Sequence, residues 1–293
     1  MKKAVSVSLG STSRDACAEI ELMGVPVSLK REGWNGSVED VARRFAELDG
    51  GVDALGVGGI DLWVHSATRQ YPLISAHKLI KQVGRTPVVD GSGLKHTLER
   101  QTGQLVRTLT NKRKVMIVSG LDRMGMTRSF FEQGFDVLCG DAAFALGLPL
   151  KIRSLTGLGR LARLALPVVS RLPIYMIYPT GDAQNKIEPK YTSWYNWADI
   201  IAGDCLYIKR HMPDRLNGKV IVTNTTTEAD RQLFRERGVE KIVTTTPILN
   251  GRSFGTNLIE AGLTAVAGKN RPLTTAELAE YVQKLGLKPT LVD

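Results

Sequence analysis

Lys95 is the residue in this sequence best suited to move a proton, because Asp90 stands five positions before it and Asp61 ends an earlier apolar run. A lysine held beside a carboxylate can orient a hydroxyl or carbonyl and carry the proton that accompanies hydride transfer. Lys95 and Asp90 are therefore the expected catalytic pair. The bland alternative is a solvated lysine in the first turn of a helix. His96 adjoins Lys95 and is kept as a spare acid or base. His65, His77 and His211 show no ligand spacing, and no metal site is expected.

A second constellation lies in KVMIVSGLDRMGMTRSFFEQGFDVLCGD, residues 114–141. Val115 to Val118 form an apolar run of the kind a strand buried on both faces shows, and it stops at Ser119-Gly120. A helix over 126–133, closed by Gly134, and a second strand from Phe135 to Leu138 complete a βαβ unit. Asp141 falls twenty-one positions after Gly120, the spacing at which a dinucleotide fold sets a carboxylate on the ribose hydroxyls. Ser119, Gly120, Asp122, Arg123, Gly125 and Met126 would then surround the pyrophosphate. Gly120 and Gly125 take the roles of first and third fingerprint glycine, and Arg123 supplies charge where the middle glycine is missing. A carboxylate at Asp141 favours NAD over NADP. The alternative is that any βαβ unit needs such a turn, with Asp141 merely capping it.

Hydroxyl runs follow at two later strand ends, residues 223–227 and 244–246. Asn224, Thr225, Thr226 and Thr245 are placed to flank a nicotinamide, although β-branched residues also simply suit strands. Arg252, flanked by glycines before a helix N-terminus, suits a phosphate or carboxylate. With Ser11, Asp61, Ser92 and Asn257 it makes up the expected substrate-binding set.

These residues need a scaffold, and alternating strands and helices supply one. Strands are expected over 3–9, 53–61, 88–89, 198–204, 219–226 and 241–247, with helices over 38–48, 94–109, 228–237, 256–267 and 274–285. Residues 62–74 read as a hairpin and 172–181 as extended chain. Residues 142–171 hold a helix with a core-facing side and a solvated basic side, and the aromatics of 186–197 are expected over an interdomain cleft. If the sheet is parallel, the strand ends at Gly10, Asp61 and Asp90 share the edge where α/β folds bind ligands. The fold expected is α/β with two domains. A smaller substrate-binding unit, 1–110, precedes a Rossmann-like doubly wound parallel sheet, 111–268, and a C-terminal helix, 269–293, packs back on the body.

Composition narrows the partners. A formal net charge of +10 and a pI near 9.6 favour anionic ligands. Aromatics at 6% without basic interleaving argue against nucleic acid. Cys17, Cys139 and Cys205 are odd in number and widely spaced, which points to a reducing cytoplasm. No apolar run reaches the length of a membrane span. A small anionic metabolite is the expected partner, and a homodimer is compatible with it.

With VSVSLGSTSRD, GVGGIDL, VDGSGLKHTLER, YPTGDAQNKIEPKY, NTTTEAD and TTTPILNGRSFGTN in view, the chain resembles a bacterial family labelled quinate 5-dehydrogenase. That resemblance implies an NAD-type oxidoreductase acting on a cyclic polyol acid, in the manner of quinate and shikimate dehydrogenases. Those enzymes use a lysine and aspartate pair, for which Lys95 and Asp90 are counterparts by role. The Asn-x-Thr-x-Pro-x-Lys pattern expected around such a lysine is absent here. The expected activity is hydride transfer between a nicotinamide cofactor and a hydroxyl or ketone. Its alternatives are a non-catalytic nucleotide-binding sensor and a reductase of carrier-bound acyl groups.

Overall fold

The structure is a computed structural model. It describes residues 1–65, 69–177, 186–249 and 252–292, with the backbone alone at Leu249 and Arg252. The chain begins with β1 (Lys2–Ser8), β2 (Ala16–Leu22), β3 (Val25–Gly33), α1 (Val38–Leu48) and β4 (Ala54–Gly58). A hairpin of β5 (Trp63–His65) and β6 (Gln70–Pro72) follows, then α2 (Ile74–His77) and β7 (Val88–Val89). The first sheet has the order β2-β3-β1-β4-β7 and is parallel except for the outer strand β2. β1 is the strand expected over 3–9, where the alternation of KAVSVSL would leave one face to solvent. It lies at the sheet centre instead, buried on both faces from Ala4 onward. Ser37 accepts from Asp40 N and starts α1 as its spacing predicts.

The region expected as one helix over 94–109 is broken. It comprises α3 (Ser92–Thr97), a 3-10 turn over Leu98–Gln101, and α4 (Thr102–Leu109). The tighter turn carries Glu99, which is fully buried against Arg123.

The second sheet opens with β8 (Lys114–Ile117), α5 (Met124–Glu132), β9 (Asp136–Cys139) and α6 (Asp141–Leu146). Next come α7 (Leu155–Val169), α8 (Ile174–Ile177), α9 (Thr192–Trp197), β10 (Ile200–Gly203) and α10 (Cys205–His211). The chain continues through β11 (Val220–Thr223), α11 (Glu228–Glu236), β12 (Lys241–Thr244), β13 (Ile248–Leu249) and β14 (Arg252–Ser253). It ends with α12 (Thr256–Ala267), α13 (Thr275–Lys284) and β15 (Thr290–Val292). The order is β15-β12-β11-β10-β8-β9, parallel except for β15. Strand order therefore reverses beside β8, between β9 and β10, and such a switch point opens a crevice at the carboxyl edge.

Both sheets carry helices on both faces, so the protein is α/β and doubly wound. α12 returns to the first sheet, where Leu258, Ile259, Ala261 and Leu263 pack with Ala4, Val27 and Leu29. Two expectations change. Residues 174–177 are helical, not extended, after Pro173, whose fixed φ suits a helix start. The turn expected at 179–181 lies outside the described residues. Trp194 and Tyr195 do not cover a cleft. They are buried on the second sheet with Ile201, Ile208 and Phe234, because apolar area is worth more removed from water than at a wet edge.

Candidate active site

The carboxyl edges of the two sheets face each other across a cavity of about 310 Å³. The loops after β1, β4 and β7 line it from one side, and those after β8, β10 and β11 from the other. α7 closes one wall with Leu161, Ala165, Leu166 and Val169.

Lys95 sits at the seam. Gly91 precedes its helix at φ 88°, where a side chain would collide with the backbone of Asn257. Glu260, from α12, accepts from Leu94 N at 3.0 Å and so caps the first turn of α3. Burial of Glu260 pushes its carboxyl up to about 8. Lys95 is 5% exposed, and its ammonium donates to Asp61 Oδ1 at 2.7 Å, Asp61 Oδ2 at 2.8 Å and Asp122 Oδ1 at 2.7 Å. Burial works against its charge, but Asp122 and Asp61 more than offset that and hold its pKa above the ordinary lysine value. Lys95 is thus an ammonium at neutral pH.

The two carboxyls behave unequally. Burial drives Asp61 well above the usual carboxylate range, and Asp122, also buried, is held below it by Lys95 and Arg123. Two like charges in one dry site push the pair apart in this way, Asp61 toward its protonated form and Asp122 toward its carboxylate.

Asp90, expected as the lysine's partner, is not on the ammonium. It accepts from Leu62 N at 2.7 Å and Ser92 N at 2.9 Å, holding together the turns after β4 and β7. The partners are Asp61, placed among the substrate-binding residues, and Asp122, placed among the cofactor-binding ones. His96 stands by in neutral form. Burial, then His65, depresses it to about 4, and the two rings meet edge to face with centroids 4.8 Å apart.

Arg123 is committed inward. Its guanidinium, 4% exposed, reaches Glu99 Oε1 at 2.8 Å, Asp204 Oδ2 at 3.0 Å and Asp122 Oδ2 at 3.0 Å. Burial lowers its pKa and the three carboxylates raise it by more. No charge is left over for a phosphate. Asn224 donates to Asp204 Oδ2 at 2.8 Å and accepts from Cys205 N at 3.2 Å, so it steadies this network while lining the cavity with Thr225.

The glycine turn after β8 is closed from within. Gly120 N and Leu121 N, which a pyrophosphate would need, donate to Asp141 at 2.9 and 2.8 Å. Thr127 Oγ1 donates to Gly120 O at 2.9 Å. Gly125 has a packing role, since a Cβ there would overlap the Lys95 carbonyl oxygen. The turn does not fit a dinucleotide: its amides are taken, and carboxylates stand at Asp122, Asp141 and Asp204. Asp141 is the cap that the alternative reading of its spacing describes. Met126, Thr226 and Thr245 are 0% exposed and lie off the cavity. Thr226 bonds Ser253, and Thr245 donates to Glu99 at 3.3 Å.

Burial, opposed by the two turn N–H bonds, pushes Asp141 up to about 6. A carboxyl raised on folding contributes stability that is fully present below its unfolded value, near 4, and lost as pH rises through about 6. Asp141→Asn should therefore lose roughly 3 kcal/mol of the wild-type decline between those values. Melting curves at acidic and neutral pH check this, and equal slopes in both proteins would show that folding leaves the Asp141 carboxyl unshifted.

Among the substrate-binding residues, Asn257 Nδ2 donates to Ser6 Oγ at 2.6 Å at the cavity rim, and Ser92 lines it. Ser11 instead caps a local turn by accepting from Ser13 N. The side chain of Arg252 lies outside the described residues. Glu99 and Asp204 were missed. Asp204 directly follows β10 and caps α10, an acid at a strand end as Asp61 is, whereas nothing local separates Glu99 from a surface glutamate.

A family model described as Domain of unknown function (DUF8754) matches residues 93–293. The chain belongs to the DUF8754 family. A second model, Domain of unknown function (DUF8753), matches residues 3–90. The ion cluster spans both matches, with Asp61 from one and Lys95 and Asp122 from the other. No curated protein matches the sequence.

Among solved structures, NAD-dependent malic enzyme from Thermotoga maritima aligns at 12% identity over 92% of this chain and 72% of its own, with a TM-score of 0.34. A periplasmic ribose ABC transporter from Conexibacter woesei aligns at 12% identity over 96% and 86%, with a TM-score of 0.32. A Mycobacterium smegmatis structure in complex with β-D-fucofuranose aligns at 11% identity over 98% and 96%, also at 0.32. Likeness of this degree carries no argument about activity. Among the described residues, no cluster of histidine, cysteine or carboxylate side chains forms a metal site, and no helix is long and apolar enough to cross a membrane.

Proposed function

We propose that this cleft is the active site of an enzyme that moves a proton at a hydroxyl or carbonyl group of a small metabolite. One observation carries the reading: a buried lysine ammonium hydrogen-bonded to two buried carboxyls, Asp61 and Asp122, at the edge of a cavity. Lys95, held protonated, exchanges one of its two bonds to Asp61 for the substrate oxygen and stabilises negative charge that develops there. The Asp61 and Asp122 pair takes up or returns the proton that the carbon or hydroxyl exchanges. His65 and His96, neutral beside them, offer hydrogen bonds without adding charge.

The cations lining the cavity, among the described residues, are each ion-paired: Lys95 and Arg123 as above, Arg14 to Asp230 at 2.9 Å and Arg31 to Asp15 at 2.7 Å. This favours a substrate read by its oxygens over one, such as a quinate-like acid, that needs a carboxylate clamp. The test is incubation with a panel of small oxo- and hydroxy-compounds in heavy water. Deuterium should enter at the carbon beside the oxygen and fail to enter with Lys95→Met. A panel that neither exchanges nor raises the melting temperature would overturn the reading.

A nicotinamide-dependent oxidoreductase is the second reading, favoured by the strand-order reversal beside β8 opening onto the same cavity. The Asp141-closed turn speaks against it as the pyrophosphate site. Saturation with NAD or NADH at a hundred times the dissociation constant should then stabilise the protein by about 2.7 kcal/mol. The absence of any shift removes this reading and leaves the first in place.

A further inference from the structure

The segment from α6 to α8 carries a surface that the cleft chemistry does not use. Residues 142–177 contain five basic residues, Lys151, Arg153, Arg160, Arg163 and Arg171, and no acidic one. On the same stretch large apolar side chains face solvent: Leu164 is 79% exposed, Tyr175 73%, Val168 63%, Met176 60% and Leu150 57%. Arg160, Leu164 and Val168 recur at helical spacing along one stripe of α7, and Arg171 follows in the turn just past its end. The opposite stripe, Leu158, Ala162 and Leu166, is buried in the body. α7 is therefore apolar on both sides, which a helix bounded by water on one side does not need.

Scattered exposed apolar residues need no explanation, but a contiguous set rimmed by one sign of charge marks an interaction surface. The charge selects the occupant. Arg153 is paired with Asp136 at 2.7 Å, but a second copy would still set Lys151, Arg160, Arg163 and Arg171 against the same four cations, so self-association through this face is opposed. A surface of anionic lipid headgroups satisfies both features, with apolar side chains entering the interface and arginines meeting phosphates.

We propose that the α6 to α8 face docks on anionic membrane surfaces. α7 then stands between bilayer and cleft, its inner side lining the cavity through Leu161 and Ala165.

The test is co-sedimentation of the full chain with vesicles of phosphatidylcholine, with and without phosphatidylglycerol, at low and high salt. Binding should require the anionic lipid and weaken with salt. The Arg160→Ser/Arg163→Ser/Arg171→Ser variant should lower the partition coefficient roughly a hundredfold. Leu164→Glu/Val168→Glu should abolish binding. Both change exposed positions, and an unaltered melting curve will show that the fold persists. Binding to neither vesicle, equal binding to both, or unchanged binding by the glutamate variant overturns the proposal. So does a concentration-dependent dimer that the glutamate variant dissociates.

Discussion

Lys95→Met is expected to cost about 3 kcal/mol of stability at pH 8 and markedly less at pH 5. In the wild type the raised lysine pKa contributes stability that is present throughout the neutral range and lost only as pH rises beyond the ordinary lysine value. Without the ammonium, Asp61 and Asp122 lose their counter-charge in a site where burial already favours the protonated form. Their folded-state pKa values then lie above the unfolded ones. The variant's stability is greatest near or below pH 4 and falls as pH rises. Turnover on a substrate found by deuterium exchange should drop by a factor of about 10² to 10⁴. Denaturant titrations at the two pH values decide the structural half. A deficit independent of pH would mean that the carboxyls are solvated and that the buried triad does not exist in solution.

Arg123→Met is expected to be the most damaging single change at the site, at about 3–5 kcal/mol. It strands three carboxylates, of which Glu99 is 0% exposed and is already raised by burial, with Arg123 as the main charge opposing that. Arg123→Lys should recover little, because one ammonium cannot reach Glu99, Asp122 and Asp204 from the positions that a planar guanidinium spans. Combining Arg123→Met with Glu99→Met should restore more than half of the loss, since the uncompensated buried charge goes with its partner. Stabilities of the two single variants and the double variant complete the cycle. A loss below about 1 kcal/mol for Arg123→Met would show a solvated, expendable pair.

The elements were legible where periodicity is long and punctuated. The helix 38–48 announced itself through Ser37 and Asp40, and 228–237 through Thr227, which forms a capping box with Asp230. Strand ends at Gly10, Asp61 and Asp90 were readable as one edge because parallel strands point the same way, and all three line the cavity. What failed was pairing. Lys95 was recognisable as the central charge, but Asp90 is near in sequence while Asp61 and Asp122 are near in space, 34 and 27 positions away. Spacing alone cannot rank them. Asp141 illustrates a second limit, because an acid at the end of the second strand reads alike whether it points outward to a ribose or back under the turn. The outcome depends on whether the turn's amides find a partner within the protein, and here they do.

The return of α12 to the first sheet has a consequence for modularity. The face of β1, β3 and β4 that α12 covers is apolar, and its cover is made more than 150 positions later. The segment 3–90, although matched as a unit, is thus an incomplete fold whose missing layer lies in the other match. Separated at 90–93, the first piece would expose the apolar face that α12 covers, and α12 would expose the side it turns to that face. Any exchange of segment 3–90 for another would have to present a face that α12 fits, so the two stretches are coupled through one helix.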